Sequence, residues 1–437
     1  MNISVIGCGY VGTTTALMFC ELGYQVVAVE KDSKKLAMLQ QGKLPFHEPG
    51  IDSLLIKHLH RGSLVFTGDI EEGIAHSKII YITVGTPSLP DGSSDLSFIE
   101  EVSRQIGAAQ NDYKAVVIKS TVPLGTVDKV REWIGKAQKR PLPVDLVVNP
   151  EFLREGSALY DTMHPDRIVI GSDNPEAAET VKQLFHSMSC PIIVTDCNTA
   201  QLIKYTANAF LATKISFINE IGRVCDAYGA NIEEVASGVG LDHRIGPHFL
   251  RAGIGWGGSC FPKDIAALIN MGNNNGINLL IVQSAQQVNQ DQIGYFIDRL
   301  EGELHGLNNK TVSIYGISFK PETDDIRESP ALKVIAEVQR RGGTVAAYDP
   351  MVFDKHPELK LPGVRVARNM EDAWKGSDCF FLITEWDQFS KIDWGQVMQE
   401  MRTPLVLDGR NVLDARKLRS LGFRYYGIGR KTGIIHE

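Results

Sequence analysis

The chain is 437 residues long, with 43% hydrophobic and 22% charged residues. At about 100–200 residues per domain this suggests two to four domains, and it excludes a disordered tail protein or a disulfide-stapled mini-scaffold. Lys and Arg number 45 against 52 Asp and Glu, a formal charge of −7, and no long basic run marks a nucleic-acid groove.

The opening residues, Met1–Gly7, read as a strand rather than a signal peptide. Ile3–Ile6 ends at Gly7, a helical pattern runs from about Val11 to Leu22, and a second apolar run follows at Val26–Val29. This is a β–α–β unit. Further runs at Ile79–Val84, Val116–Ile118, Leu146–Val148, Ile168–Ile170 and Ile192–Val194 alternate with helical patterns. The expectation is an α/β fold with a doubly wound, mostly parallel sheet. From about Asn198 to Tyr228 there is no Pro and one Gly, which predicts a single long helix ending near Gly229 and a candidate dimer surface. Asn231–Gly257 is mixed and Gly-rich, and another helix starts near Asp264. A second β–α–β pattern comprises Thr311–Tyr315, Pro330–Arg341 and Thr344–Tyr348, with further strands at Phe380–Ile383 and Leu405–Leu407. Two Rossmann-like doubly wound domains, 1–196 and 301–437, thus flank a helical central domain, 197–300. No stretch of about 18 apolar residues suggests a membrane span.

Gly7-x-Gly9-x-x-Gly12 directly follows the first strand and opens the first helix. Gly7 permits a tight turn, Gly9 lets backbone approach a pyrophosphate, and Gly12 allows close packing of helix on sheet. The helix N-terminus then offers N–H groups to the anion. Glu30 ends the second strand, where a carboxylate can accept from both ribose hydroxyls and repels a 2′-phosphate, favouring NAD over NADP. Lys31 and Lys35 lie close by, and a flavin reading of this fingerprint stays open at this point.

Gly257-Gly258-Ser259-Cys260-Phe261-Pro262-Lys263-Asp264 places a thiol beside a Gly pair, a cation and a carboxylate. Lys263 can favour the thiolate, and Asp264 can act as a base or orient Lys263. A bare aldehyde is a poor hydride donor. Thiol addition makes a thiohemiacetal, whose oxidation leaves a thioester for water to cleave. Cys with NAD therefore points to oxidation as far as the acid. The other cysteines, Cys8, Cys20, Cys190, Cys197, Cys225 and Cys379, lack such neighbours, and no C-x-x-C pair occurs, so reduced thiols and a cytoplasmic setting are expected.

Ligands of doubly wound sheets sit beyond the carboxyl ends of strands. There stand Thr83–Pro87 with Thr86, Ser120–Pro123 with Thr121, and Asn149–Gly156 with Glu151 and Glu155, which would share a face if that turn is helical. Lys204 and Asn208 are four apart on the long helix. Such a lysine either snorkels harmlessly or neutralises an alkoxide. Lys320 and Arg327 can hold phosphate or ribose, or be surface charges. No metal site is expected: His58 and His60 suit a solvated helix, and Asp242, His243 and His248 lack ligand spacing.

The segments GCGYVG (7–12), STVPLGT (120–126), NPEFLREGSA (149–158), LIKYTANAFLATKISFINEIG (202–222), DHRIGPHFLRAGIGWGGSCFPKD (242–264) and GISFKPETDDIRESPA (316–331) together resemble the UDP-glucose/GDP-mannose dehydrogenase family. The resemblance implies oxidation of UDP-glucose by two NAD and water to UDP-glucuronate, in a homodimer formed through the long helix. By motif position Cys260 would be the nucleophile, with Lys204, Asn208, Asp264, Glu151 and Thr121 the other catalytic residues. NAD would contact Gly7, Gly9, Val11, Gly12, Glu30, Lys35, Thr86, Thr121, Glu155, Lys263 and Arg327. The sugar nucleotide would contact Glu151, Phe152, Leu153, Arg154, Glu155, Lys204, Asn208, Phe249, Leu250, Arg251, Ala252, Gly253, Gly257 and Lys320. Arg244 would reach the substrate of the partner subunit. Thr13, Glu30, Phe249 and Trp256 depart from the commoner family residues without removing a reacting group. Alternatives are a related enzyme for GDP-mannose or a UDP-N-acetylhexosamine, and a catalytically silent NAD-responsive binding protein.

Overall fold

The computed structural model describes residues 2–352 and 356–430. The chain divides into two units. One contains the residues up to Ala207 with Ala266–Asn278, the other Asn208–Ile265 with the residues from Leu279 on.

The first unit is built on eight strands: β1 (Asn2–Ile6), β2 (Gln25–Val29), β3 (Leu64–Thr67), β4 (Ile79–Ile82), β5 (Lys114–Ile118), β6 (Val144–Val148), β7 (Ile168–Ser172) and β8 (Ile192–Thr195). Their order is β3-β2-β1-β4-β5-β6-β7-β8. Every neighbouring pair is parallel except β6 and β7. The central strands IIYI and KAVVI are buried along their whole length, as continuous apolar runs must be when helices cover both sheet faces. The order reverses between β1 and β4, the switch point at which ligands bind in such sheets.

The second unit carries β9 (Thr311–Tyr315), β10 (Thr344–Tyr348), β11 (Val364–Val366), β12 (Cys379–Leu382), β13 (Leu405–Asp408) and β14 (Arg424–Gly427). All its pairs are parallel, in the order β11-β10-β9-β12-β13-β14. This repeats the arrangement of the first six strands of the other sheet, so the two α/β halves share a winding without a short sequence repeat. On one face Tyr315 stacks on Phe380 with ring centroids 3.8 Å apart.

The long helix spans Cys197–Tyr228, 32 residues, and stops at Gly229, whose φ of +69° suits a glycine beyond a helix end. Its one internal glycine, Gly222, leaves room for Ile428: a Cβ there would lie 3.0 Å from that side chain. Helices at Ile232–Gly240, Phe261–Asn274 and Leu280–Leu304 follow. No helix among the described residues is long and apolar enough to cross a membrane.

One expectation fails at His58. The helix Ile51–Arg61 does leave His60 exposed, but His58 is buried. Its Nδ1 is 2.7 Å from Ser63 Oγ and its Nε2 meets the Glu21 carboxylate, which also takes Lys57. His58 ties this helix to the first one, a long-range partnership that local polarity does not reveal.

Candidate active site

The dinucleotide fingerprint lies at the switch point. Gly7 has a φ of +98°, and a Cβ on Gly12 would stand 1.8 Å from the Gly7 carbonyl oxygen, an impossible approach for any other residue. Thr83 Oγ1, beyond β4, donates to the same carbonyl at 2.7 Å and locks the turn. Gly9 is exposed, with nothing within 4 Å of an added Cβ. The helix Tyr10–Glu21, with Val11 in its first turn, has no side-chain cap and no acid in that turn. Its first N–H groups are thus available to an anion. Glu30 is buried beyond β2 and accepts from Cys8 N–H (3.2 Å) and Asp32 N–H (2.9 Å), one on each oxygen. A carboxylate offers about four acceptor positions, so capacity remains for a ribose diol. The residues present fit an NAD molecule. Lys35 is exposed on the next helix, while Thr86 is buried and donates to the Thr121 carbonyl at 2.8 Å.

The segment after β6 is not helical before Ala158, so Glu151 and Glu155 do not form the helix pair considered above. Both are buried, but Glu151 turns to the long helix. Lys204 Nζ lies 2.9 Å from Glu151 Oε1, and Leu153 N–H donates to Oε2 at 2.8 Å. Burial pushes the Glu151 carboxyl up, but Lys204, the Leu153 N–H and Lys119 together hold it below the usual carboxylate range. Phe152 carries the Arg167 guanidinium 3.6 Å from its ring centre, with Lys204 Nζ at 5.5 Å. Arg154 is exposed and forks onto Asp161.

In the other unit the turn around Cys260 carries a connected set. Asp264, 2% exposed, takes Lys263 Nζ on Oδ1 and Asn208 Nδ2 on Oδ2, each at 2.6 Å. Cys260 itself is half-buried beside Ser259 Oγ at 3.6 Å. Gly257 and Gly258 are required here: a Cβ on the first would press the Glu328 carbonyl at 2.2 Å, and one on the second the Phe319 ring at 2.6 Å. Leu250 and Ala252 are core residues, Arg251 is exposed, and Phe249 adopts a left-handed φ of 65°. Gly253 donates to Asn219 Oδ1 at 2.8 Å and accepts from Gln292 Nε2 at 2.7 Å. Lys320 is half-buried with its Nζ over Phe319. Arg244 and Arg327 are exposed and pair with Asp242 and Asp325.

The other six cysteines behave as packing residues. Burial pushes the Cys20 thiol up to about 12 and Cys197 to about 11, and raises Cys8, Cys190, Cys225 and Cys379 as well. The second sheet has its own glycine turn at Gly316, φ +88°. The acid at the end of β10, Asp349, stands where Glu30 stands in the first sheet. Its oxygens are taken up internally by the Ile317, Ser318, Met351 and Val352 N–H groups, Ser318 Oγ and Trp386 Nε1. Among the described residues, the first sheet presents a carboxylate with room for a ribose and the matching acid of the second sheet does not. Among the described residues no group of three His, Cys, Asp or Glu side chains could hold a metal ion.

Among the buried charges that sequence reasoning missed, two bear on the Glu151 loop. Glu48, from the loop before Ile51–Arg61, accepts from Gly156 N–H (2.6 Å) and Ala158 N–H (2.7 Å), clasping the loop that bears Glu151 and Glu155. Lys119 sits just beyond β5, under the same loop. A lysine directly after the wholly apolar strand run Val116–Ile118 was a readable signal; for Glu48 there was none.

Residues 1–189, 198–291 and 313–415 match the NAD binding, central and UDP binding domains of the UDP-glucose/GDP-mannose dehydrogenase family. The UDP-glucose 6-dehydrogenase YwqF of Bacillus subtilis is 41% identical over 434 residues, 99% of each chain. The structure of a UDP-glucose dehydrogenase from the archaeon Pyrobaculum islandicum superposes with a TM-score of 0.92 at 36% identity, covering 98% of this chain and 97% of that one. A UDP-D-ManNAc dehydrogenase from Pyrococcus horikoshii gives 0.89 at 28% identity, covering 99% and 100%. With its dinucleotide turn at the switch point and its Cys260 turn intact, the chain belongs to the UDP-glucose/GDP-mannose dehydrogenase family and is an NAD-dependent dehydrogenase.

Proposed function

We propose that this chain oxidises the C6 alcohol of UDP-glucose to the acid, giving UDP-glucuronate, in two hydride transfers. The observation that carries this reading is the buried Asp264 bound to both Lys263 and Asn208 within four residues of Cys260. A thiol beside a fixed acid, amine and amide is suited to an aldehyde oxidation and superfluous for a simple alcohol dehydrogenase. The relatives' substrate agrees with it.

When bound, NAD supplies the hydride acceptor. The C6 hydroxyl loses its proton to water, a step assigned to Asp264 and Thr121, and stabilising the alkoxide is assigned to Lys204 and Asn208. The first hydride leaves C6, giving the aldehyde, and the Cys260 thiol adds to the aldehyde carbon, forming a C–S bond while its proton goes to the carbonyl oxygen, which gives a thiohemiacetal. Loss of the second hydride together with the hydroxyl proton leaves a thioester. Water, activated by Glu151 or held by it, attacks the thioester; the C–S bond breaks and the thiol is restored. Phe249–Gly253, Gly257 and Lys320 hold the nucleotide sugar. Gly7–Gly12, Glu30, Lys35, Thr86, Glu155 and Arg327 hold the dinucleotide.

The working division is an NAD-binding domain at 1–196, a central helical domain at 197–300 and a UDP-sugar domain at 301–437. The long helix exposes Phe210 (65%), Phe217 (52%), Val224 (49%) and Tyr228 (86%) at spacings of seven, seven and four residues, which keep them on one face, a stripe suited to pairing with a second copy. Arg244, exposed beside it in sequence, would then serve the neighbouring subunit. The chain is assigned to the cytoplasm, where NAD and nucleotide sugars meet.

The test is NADH formed per sugar with limiting UDP-glucose and excess NAD. Two equivalents are expected. One would mean that the reaction stops at the aldehyde. None from folded protein would move the substrate to GDP-mannose or a UDP-N-acetylhexosamine, assayed alongside, or leave an NAD-responsive binding protein.

A further inference from the structure

Lys119 is buried, 9% exposed, just beyond the end of β5 and two residues before Thr121, and the reaction scheme above gives it no role. Its Nζ reaches Asn149 Oδ1 at 3.3 Å and the Asn149 carbonyl at 3.5 Å. Asn149 opens the segment that bears Glu151, and its own amide is fixed by a 2.9 Å bond to the Val169 carbonyl on β7. Lys119 thus anchors the root of the Glu151 loop.

Electrostatics couples it to the same loop. Two amines, Lys119 and Lys204, share one buried carboxylate, Glu151, and Lys119 acts on both. Arg167, lying over Phe152, also acts on Glu151 and is itself countered by Asp166. If both amines are charged, they divide the attraction of one carboxylate. If Lys119 is neutral, Lys204 takes a larger share of the attraction of Glu151 and has less to offer a developing oxyanion.

We propose that Lys119 is a positioning residue whose proton loosens the Glu151–Lys204 pair and so leaves the Lys204 ammonium available to the reacting oxygen. This rests on the C6 oxidation proposed above. Burial pushes the Lys119 ammonium down to about 8, opposed by Glu151 and assisted by Lys204, so the proton is lost within the working range of an enzyme.

Two variants of the full chain, K119M and K119R, and two readouts test it. The first needs no activity. A buried lysine whose folded value lies below its unfolded one costs stability while charged, and that cost fades as pH rises between the two values. The melting advantage of K119M over wild type should therefore shrink from pH 7 to pH 10.5. A difference constant across that range overturns the proposal.

The second readout is the pH profile of kcat for NADH formation from UDP-glucose. The wild type should lose activity through about pH 8. K119R, always charged, should lack that limb, and K119M should be roughly tenfold slower at pH 7 and flat through pH 8. K119M should add little to E151Q, because it acts through that carboxylate. Folded variants that keep the wild-type limb and rate overturn the proposal. No NADH from wild type would instead overturn the substrate reading, and with it the role in C6 oxidation; the melting series still decides whether Lys119 holds the titrating proton.

Discussion

Lys204 Nζ lies 2.9 Å from Glu151 Oε1, both side chains buried, across 53 positions of sequence. The pair joins the long helix to the loop after β6. Removing Lys204 takes from the buried Glu151 its directly bonded cation and leaves only the weaker influence of Lys119; breaking a buried pair costs about 3–5 kcal/mol. K204M should therefore melt well below wild type at pH 7. In wild type the lowered Glu151 contributes stability above the usual carboxylate range, and that contribution is lost as pH falls through its folded value. In K204M burial dominates and raises the carboxyl, so its contribution reverses. The deficit of K204M should thus shrink as pH falls from 7 to 4, measured by paired thermal melts.

The glycines of the fingerprint should separate folding from binding. G12A places a methyl 1.8 Å from the Gly7 oxygen and must displace the first helix; it should lower both melting temperature and NAD affinity. G9A meets nothing within 4 Å and should melt like wild type, yet bind NAD at least about tenfold more weakly, because the methyl occupies the space where backbone approaches pyrophosphate. Calorimetric titration with NAD checks it. Wild-type affinity in G9A would remove the pyrophosphate from this turn.

The contrast between Gly9 and Glu48 shows what could be read in the chain. The fingerprint, Glu30 and the Cys260 turn are local patterns whose chemistry lies within a few residues, and most strands appear as apolar runs. Strand β3 went unread because Leu64–Thr67 is four residues long with Val65 exposed. The reversed sense of β7 was invisible, since a period of two carries no direction. Glu48, Lys119 and His58 owe their places to partners 30 or more residues away, which no local spacing encodes.

Cys260 should divide the reaction. With limiting UDP-glucose and excess NAD, wild type should give two NADH per sugar. C260S should give at most one, and its turnover to the acid should fall roughly 10³-fold or more, the scale of losing a covalent nucleophile. Hydroxylamine added during turnover should trap the aldehyde from the variant. Two equivalents at the wild-type rate from C260S would remove the thioester from the pathway.

The apolar stripe predicts assembly. F217E puts a charge among Phe210, Val224 and Tyr228, where a paired helix would bury it. Light scattering should give twice the chain mass for wild type and the single mass for F217E. If Arg244 serves the neighbouring subunit, F217E should also raise the KM for UDP-glucose while leaving NAD affinity intact. A wild-type monomer would sink both statements.

Glu48 offers the sharpest separation of architecture from chemistry. Its two oxygens each accept one backbone N–H, from Gly156 and Ala158, and its side chain is 1% exposed. Hydrogen bonds to a charged group contribute about 1.5–3 kcal/mol. E48Q keeps the shape but turns an NH2 toward one of those N–H groups, so one bond is lost and two donors face each other. The loop bearing Glu151 and Glu155 should then hold its geometry less well, although no reacting group has changed. The expected result is a lower melting temperature, a several-fold higher KM for UDP-glucose and a smaller change in kcat at saturating sugar. E48D should fail similarly, because the shorter acid cannot span both N–H groups. A normal KM with a lowered kcat would mean that Glu48 acts on the chemistry and not on the loop.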